Sequence, residues 1–232
     1  MRRCPVCRRI DRPYERAVAY GSYDGGLREL IHLLKFNGVR PAANVLGRML
    51  AEVLPSLEPS FDQPEVLVIP VPLFKGKRRQ RGFNQAELIT RATLKIYCPG
   101  GKLRLAPDIL VRTRETHSQI GLTSHQGRQN LRGAFAVARS QEVTGREVLL
   151  VDDVYTTGTT VSECARVLRR AGAAKVLVTT VARTLKLASN YLESGLDQGG
   201  EAGFEVSQFQ SGNNGAHWSE SSESKELETL KH

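Results

Sequence analysis

The sequence predicts an α/β fold, an open parallel sheet flanked by helices, and three observations predict it. Val148, Leu149, Leu150 and Val151 form an apolar run of the kind a strand carries when both its faces are buried. A second such run, Val-Leu-Val-Ile-Pro-Val-Pro-Leu, occupies residues 66–73, and its prolines mark its end. A third, Val-Leu-Val-Thr-Thr-Val-Ala, closes the segment 175–182. Between the first and third runs, Val161, Cys164, Ala165, Leu168 and Ala171 recur at helical spacing before Gly172. Strand, helix and returning strand make a βαβ unit, which fixes a parallel pair.

The other elements follow in chain order. Residues 17–23 alternate and carry aromatics, as a short strand does, and Asp24-Gly25-Gly26 ends them. Leu27, Leu30, Ile31 and Leu34 mark one face of a helix that Asn37-Gly38 stops. Pro41 opens the next helix, where Ala42, Val45, Leu46, Met49, Leu50 and Val53 form the apolar stripe. After the strand at 66–73, Lys75, Lys77, Arg78, Arg79 and Arg81 crowd what reads as a loop. Asn84 with Glu87 has capping-box spacing and signals the helix that follows. Residues 112–135 are poor in apolar side chains until Phe135-Ala136-Val137, so they read as a polar cover rather than core. A plain helical hairpin with exposed arginines is the competing reading.

Two segments carry chemistry. The run at 148–151 is ended by Asp152 and Asp153, and Thr156, Thr157, Gly158, Thr159 and Thr160 lead into the helix. In open α/β sheets ligands sit beyond the carboxyl ends of strands, where a helix N-terminus offers free N–H groups to a phosphate. Gly158 permits positive φ or close approach, and the threonine hydroxyls add donors. Carboxylates one turn upstream repel a phosphate but accept hydrogen bonds from a vicinal diol or help hold hydrated Mg2+. That division of labour suits a ribose 5-phosphate. No lysine follows the glycine, which argues against a Walker-type loop. The other segment is the basic stretch 75–81, whose clustered like charges call for an anion.

The thirteen residues 148–160 resemble the phosphoribosyl pyrophosphate (PRPP) motif of type I phosphoribosyltransferases. Residues 17–183 as a whole resemble the ComF family, phosphoribosyltransferase-like proteins implicated in bacterial DNA uptake. The resemblance also covers Tyr23-Asp24-Gly25 through Leu34-Lys35-Phe36, Pro70-Val71-Pro72-Leu73 and Arg81-Gly82-Phe83-Asn84-Gln85. It implies the type I phosphoribosyltransferase fold, PRPP bound with Mg2+, Asp152 and Asp153 at the ribose hydroxyls and residues 156–160 at the 5-phosphate. Lys75, Lys77, Arg78, Arg79 and Arg81 would serve the pyrophosphate or, as a basic surface, DNA. Arg112, Arg114, Gln119 and Arg128 would fall on a flexible loop that closes over the reacting centre. Purine-salvage relatives carry an aspartate four residues after the first acid, where this chain has Thr156, so no general base is assigned.

Composition sets the remaining bounds. The chain has 232 residues, enough for one sizeable domain, and a net charge of +9. From Ser189 onward eight acids stand against Lys225 and Lys231, a net −6 that leaves the body at +15. Such a field attracts polyphosphates, nucleic acid or anionic membrane surfaces. Residues 189–232 are rich in Gly, Ser, Glu, Gln and Asn and read as a disordered acidic tail. The apolar runs are too short to span a bilayer, so the expected location is the cytoplasm, with the inner face of the membrane as a peripheral alternative. Cys4 and Cys7 form half of a zinc site. The ComF resemblance makes residues 1–16 the remnant of a four-cysteine zinc module, and 17–188 the phosphoribosyltransferase-like domain. Cys164 reads as a core residue. The expected ligand is Mg-PRPP, with transfer to an unidentified acceptor. The alternative is a non-catalytic module that binds PRPP and single-stranded DNA and works with other DNA-uptake proteins, with Phe83 as a stacking residue. Lys35 faces either a phosphate or solvent.

Overall fold

The computed structural model describes residues 12–97, 101–116 and 124–184, without the side chains of 124, 125, 127 and 128. Cys4, Cys7, Gln119, the side chain of Arg128 and the acidic tail lie outside the described residues.

Five strands form one parallel sheet: β1 (Arg16–Ser22), β2 (Val66–Pro70), β3 (Leu103–Leu105), β6 (Glu147–Tyr155) and β7 (Lys175–Arg183), in the order β1-β7-β6-β2-β3. Two short strands, β4 (Leu110–Arg112) and β5 (Phe135–Val137), pair antiparallel as a separate ribbon. Helices α1 (Gly25–Phe36) and α2 (Ala42–Val53) follow β1. Helices α3 (Lys75–Arg81) and α4 (Gln85–Ile96) follow β2, while α5 (Ser124–Leu131) and α6 (Ser140–Val143) flank β5. Helix α7 (Thr159–Arg170) joins β6 to β7. None is long and apolar enough to cross a membrane among the described residues.

The central strands are buried on both faces, as their apolar runs require, and their side chains sort by parity. Val66, Val68, Leu149, Val151 and Leu177 pack with Ile31, Leu46, Leu50 and Ile89 on the side of α1, α2 and α4. Leu67, Ile69, Val148, Leu150, Val176 and Val178 pack with Val161, Cys164 and Leu168 of α7 and with Leu110 and Phe135 of the ribbon. Cys164 is fully buried, as its place on the stripe predicts.

Local departures have local causes. In α2 the buried stripe is Ala42, Ala43, Leu46, Gly47, Leu50 and Ala51, and Val45 is exposed. Close approach of α4 selects the small residues: a Cβ on Gly47 would lie 2.6 Å from that of Ala92. The basic stretch 75–81 is a helix, not a loop, and ends where Gly82 turns left-handed at φ 80°. Asn84 does cap α4, accepting from Ala86 N at 3.1 Å, but the capping box is incomplete because Glu87 turns to Arg91 and Arg78 instead. The segment 112–135 is not all polar cover, since Leu131 and Phe135 are buried under it.

The order of the sheet places the site. From β2 the chain moves outward to β3, and from β6 it moves the other way to β7, so the connections part between two adjacent strands. Ligands of open α/β sheets bind in the crevice beyond the carboxyl ends at such a switch point.

Candidate functional site

The acids do not end their strand. β6 continues to Tyr155, so Asp152 and Asp153 lie within it and are both buried. Neighbours in a strand point to opposite faces, and the contacts agree. Asp153 forms a 2.7 Å ion pair with Lys35 of α1, so Lys35 is partnered by the motif rather than left to solvent. Asp152 lies on the side of α7, where its charge is felt by Cys164 and Arg112. Its Oδ1 accepts the N–H of Asp153 at 2.9 Å. Burial, and then the negative charge of Asp153, push the Asp152 carboxyl up to about 8, with Lys35 opposing. A carboxyl raised in this way is more easily protonated than a free one, and in that form it can donate as well as accept toward a hydroxyl. Burial pulls the Lys35 ammonium down, but the charge and hydrogen bond of Asp153, helped by Asp152, together outweigh it and leave Lys35 above its ordinary value.

Beyond β6 the chain makes the turn the motif implies. Gly158 has φ 75° and caps α7, with Gly158 and Thr159 buried and Thr156 and Thr157 exposed. Thr157 and Thr159 hydroxyls share a hydrogen bond of 2.7 Å. The first N–H groups of a twelve-residue helix thus face the end of the strand beside donor side chains.

Beyond the neighbouring β2, Val71 N donates to Val151 O at 2.8 Å, which brings the start of the basic segment level with the acids. Asn84 fixes its far end, donating through Nδ2 to Val71 O at 3.0 Å. Between these anchors α3 presents Lys75, Lys77, Arg78 and Arg79 to solvent. Arg78 reaches Glu87 at 3.5 Å, and among the described residues Lys75, Lys77 and Arg79 have no acidic partner. Arg81 is half-buried, hydrogen-bonds Gln85 and feels the charge of Asp153. Phe83 is buried under the guanidinium of Arg40, which lies 5.3 Å from its ring centre, so it cannot serve as an exposed stacking residue.

The expected loop residues separate. Arg112 belongs to β4, where it stacks on Phe135 at 5.4 Å, bonds Thr116 and is lowered by burial. Arg114 donates to the carbonyls of Asn130 and Arg132, both at 2.8 Å, and so closes the end of α5. The sequence reading missed Arg12 and Tyr14. Both reach the hydroxyl of Tyr155, Arg12 at 2.9 Å and Tyr14 at 2.8 Å. Tyr155 could have been noticed inside the motif, whereas nothing local marked the other two.

The sequence is similar to those of known proteins. The phosphoribosyl transferase domain model matches residues 102–200. DNA utilization protein YhgH of Escherichia coli O6:H1 is 36% identical over 184 residues, covering 78% of each chain. Competence protein F of Haemophilus influenzae is 33% identical over 183 residues, again covering 78% of each. Competence protein ComFC of Bacillus subtilis is 24% identical over 153 residues, covering 66% of this chain and 58% of its own.

Proposed function

The chain belongs to the ComF family of phosphoribosyltransferase-domain proteins, and from that membership we propose that it binds PRPP with Mg2+ in the cytoplasm and transfers the phosphoribosyl group to an acceptor. The observation that carries this reading is the convergence of the Thr/Gly turn and the basic α3 beyond two adjacent strands whose connections part. The turn holds the 5-phosphate through the α7 N–H groups and threonine hydroxyls. Asp152 takes the ribose hydroxyls. Asp153 joins it when Lys35 yields, or acts through Lys35 as a positive group beside the diol. α3 and Arg81 balance the charge that grows on the departing pyrophosphate.

In the reaction the C1–O bond breaks with its electron pair going to pyrophosphate. A lone pair of the acceptor forms the new bond to C1, and the acceptor's proton leaves to solvent or a group on the acceptor side. The residues fit a metal that arrives on its substrate. Among the described residues no group of three or more His, Cys, Asp or Glu could hold a metal ion, and two carboxylates suffice only when pyrophosphate and water supply the other oxygens. Asp152, on the α7 side with the phosphate turn, would help to hold it, and bound Mg2+ would neutralise pyrophosphate charge. Zinc at Cys4 and Cys7 plays no part in this scheme.

Calorimetry with PRPP tests the reading: Mg2+-dependent binding that Asp152→Asn weakens is expected, and absence of heat with the parent protein overturns it. A second reading, a non-catalytic module for PRPP and single-stranded DNA, is favoured by the exposed cations of α3 and by relatives named for DNA utilization and competence. Titration with a single-stranded oligonucleotide tests it, because binding through α3 must weaken steeply with salt.

A further inference from the structure

We infer that Tyr155, held by Arg12 and Tyr14, is a positioning residue for the phosphate turn, so the segment ahead of β1 belongs to the ligand site although Arg12 stands 143 residues away in sequence. This rests on reading the turn as the 5-phosphate cup. Tyr155 is the last residue of β6, and its side chain folds back over the turn. A Cβ at Gly158 would lie 2.2 Å from its hydroxyl oxygen and 2.5 Å from Cζ, so ring and glycine are in direct contact. The hydroxyl is fixed in turn. Arg12 Nη1 donates to it at 2.9 Å, Tyr14 Oη shares a hydrogen bond with it at 2.8 Å, and Arg12 also donates to Tyr14 at 3.1 Å. Tyr14 anchors the triangle, being buried in the cluster that contains Val161 and Cys164 of α7.

The physical consequence concerns preorganisation. Peptide N–H groups stabilise a phosphate best when they already point at it and need no reorganisation on binding. Gly158 supplies the left-handed backbone, and the Tyr155 ring limits how far that backbone can move. Arg12 adds a positive charge one hydrogen bond and one ring contact from the turn, of the sign a phosphate dianion needs. Docking of the 12–14 segment and occupancy of the turn therefore reinforce each other, and by linkage each does so equally.

Calorimetry on the full chain with ribose 5-phosphate, and separately with inorganic pyrophosphate and Mg2+, tests the inference. Tyr155→Phe and Arg12→Ala should each weaken ribose 5-phosphate binding about tenfold while leaving pyrophosphate binding unchanged, and Arg12→Lys should recover most of the loss. A purely structural role would lower thermal stability without separating the two ligands. Equal losses on both ligands, or none on either, overturn the inference. If Arg12→Ala does not fold, Tyr155→Phe, which differs by one oxygen, carries the test alone. A parent protein that fails to bind ribose 5-phosphate overturns the phosphate reading and the inference with it. A parent that binds, with variants that bind equally well, overturns only the inference.

Discussion

The two chain segments that leave the central strands are built on opposite plans. At the end of β6 and just beyond it the site is made of buried groups whose geometry is fixed: Asp152, Asp153, Gly158 and Thr159, with Lys35 and Tyr155 packed against them. Beyond β2 it is a seven-residue helix of mostly exposed cations, anchored near its ends by Val71 and by Asn84. The difference follows from what each handles. A sugar phosphate must be held in one orientation for reaction at C1, which rewards preorganisation. A leaving or polymeric anion needs charge more than shape, and solvated arginines supply that at little structural cost. Mutations in the first region should therefore change stability and binding together, and those in the second should change binding alone.

The largest expected effect is at Lys35. Lys35→Met leaves the Asp153 carboxylate buried without its partner, which should destabilise the fold by about 2 to 4 kcal/mol in chemical denaturation. Asp153→Asn combined with Lys35→Met should recover much of that loss. A single variant as stable as the parent would show that the ion pair is solvated in solution.

Gly158→Ala comes next. It forces an L side chain to φ 75° and into the Tyr155 ring, at an expected cost of about 1 to 3 kcal/mol. Because the damage is at the turn, ribose 5-phosphate binding should fall further than this loss of stability alone predicts. Tyr155→Ala in the same chain should relieve the clash but not the backbone strain, and the partial rescue measures each.

The pH dependence of stability is graded rather than abrupt, with a slope of at most about 1.4 kcal/mol per pH unit for one proton. The Asp152 carboxyl is raised in the folded protein from 3.8 to about 8, so the native state keeps a proton that the unfolded chain releases. Its contribution is fully present below about pH 4 and is lost as pH rises through about 8. Denaturation midpoints should decline across that window, and Asp152→Asn, which stays neutral throughout, should flatten the decline. A parent profile that is already flat there would mean that Asp152 is ionised in the fold.

The smallest effect on stability is expected in α3. Arg78→Ala with Arg79→Ala removes exposed side chains and should leave unfolding within about 0.5 kcal/mol of the parent. The same pair should lower affinity for pyrophosphate and for a single-stranded oligonucleotide, and reduce the slope of log affinity against log salt by about 1.4 for the oligonucleotide. If stability falls instead, the contrast between the two regions is wrong.

Much of this was legible in the sequence because it is written in local periodicity. Four consecutive apolar residues at 148–151, the acid pair, the Thr/Gly run and the stripe through Cys164 and Leu168 fix a strand, a turn and a helix without help from the rest of the chain. The family, too, was readable from short motifs. What periodicity could not assign was partnership. A lysine at a helix end looks the same whether it meets water or Asp153, and Phe83 beside five cations looks like a stacking residue until Arg40 covers it. Helix α3 reads as a loop in the sequence because its like charges oppose helix formation on their own, whereas the tertiary anchors at its two ends hold it. Only the tertiary structure decided which side of the sheet each aspartate faces, since that depends on where β6 stops. Only it brought Arg12 and Tyr14 to Tyr155, because contacts between residues more than 140 positions apart arise from sheet order and packing, which leave no periodic mark on the sequence.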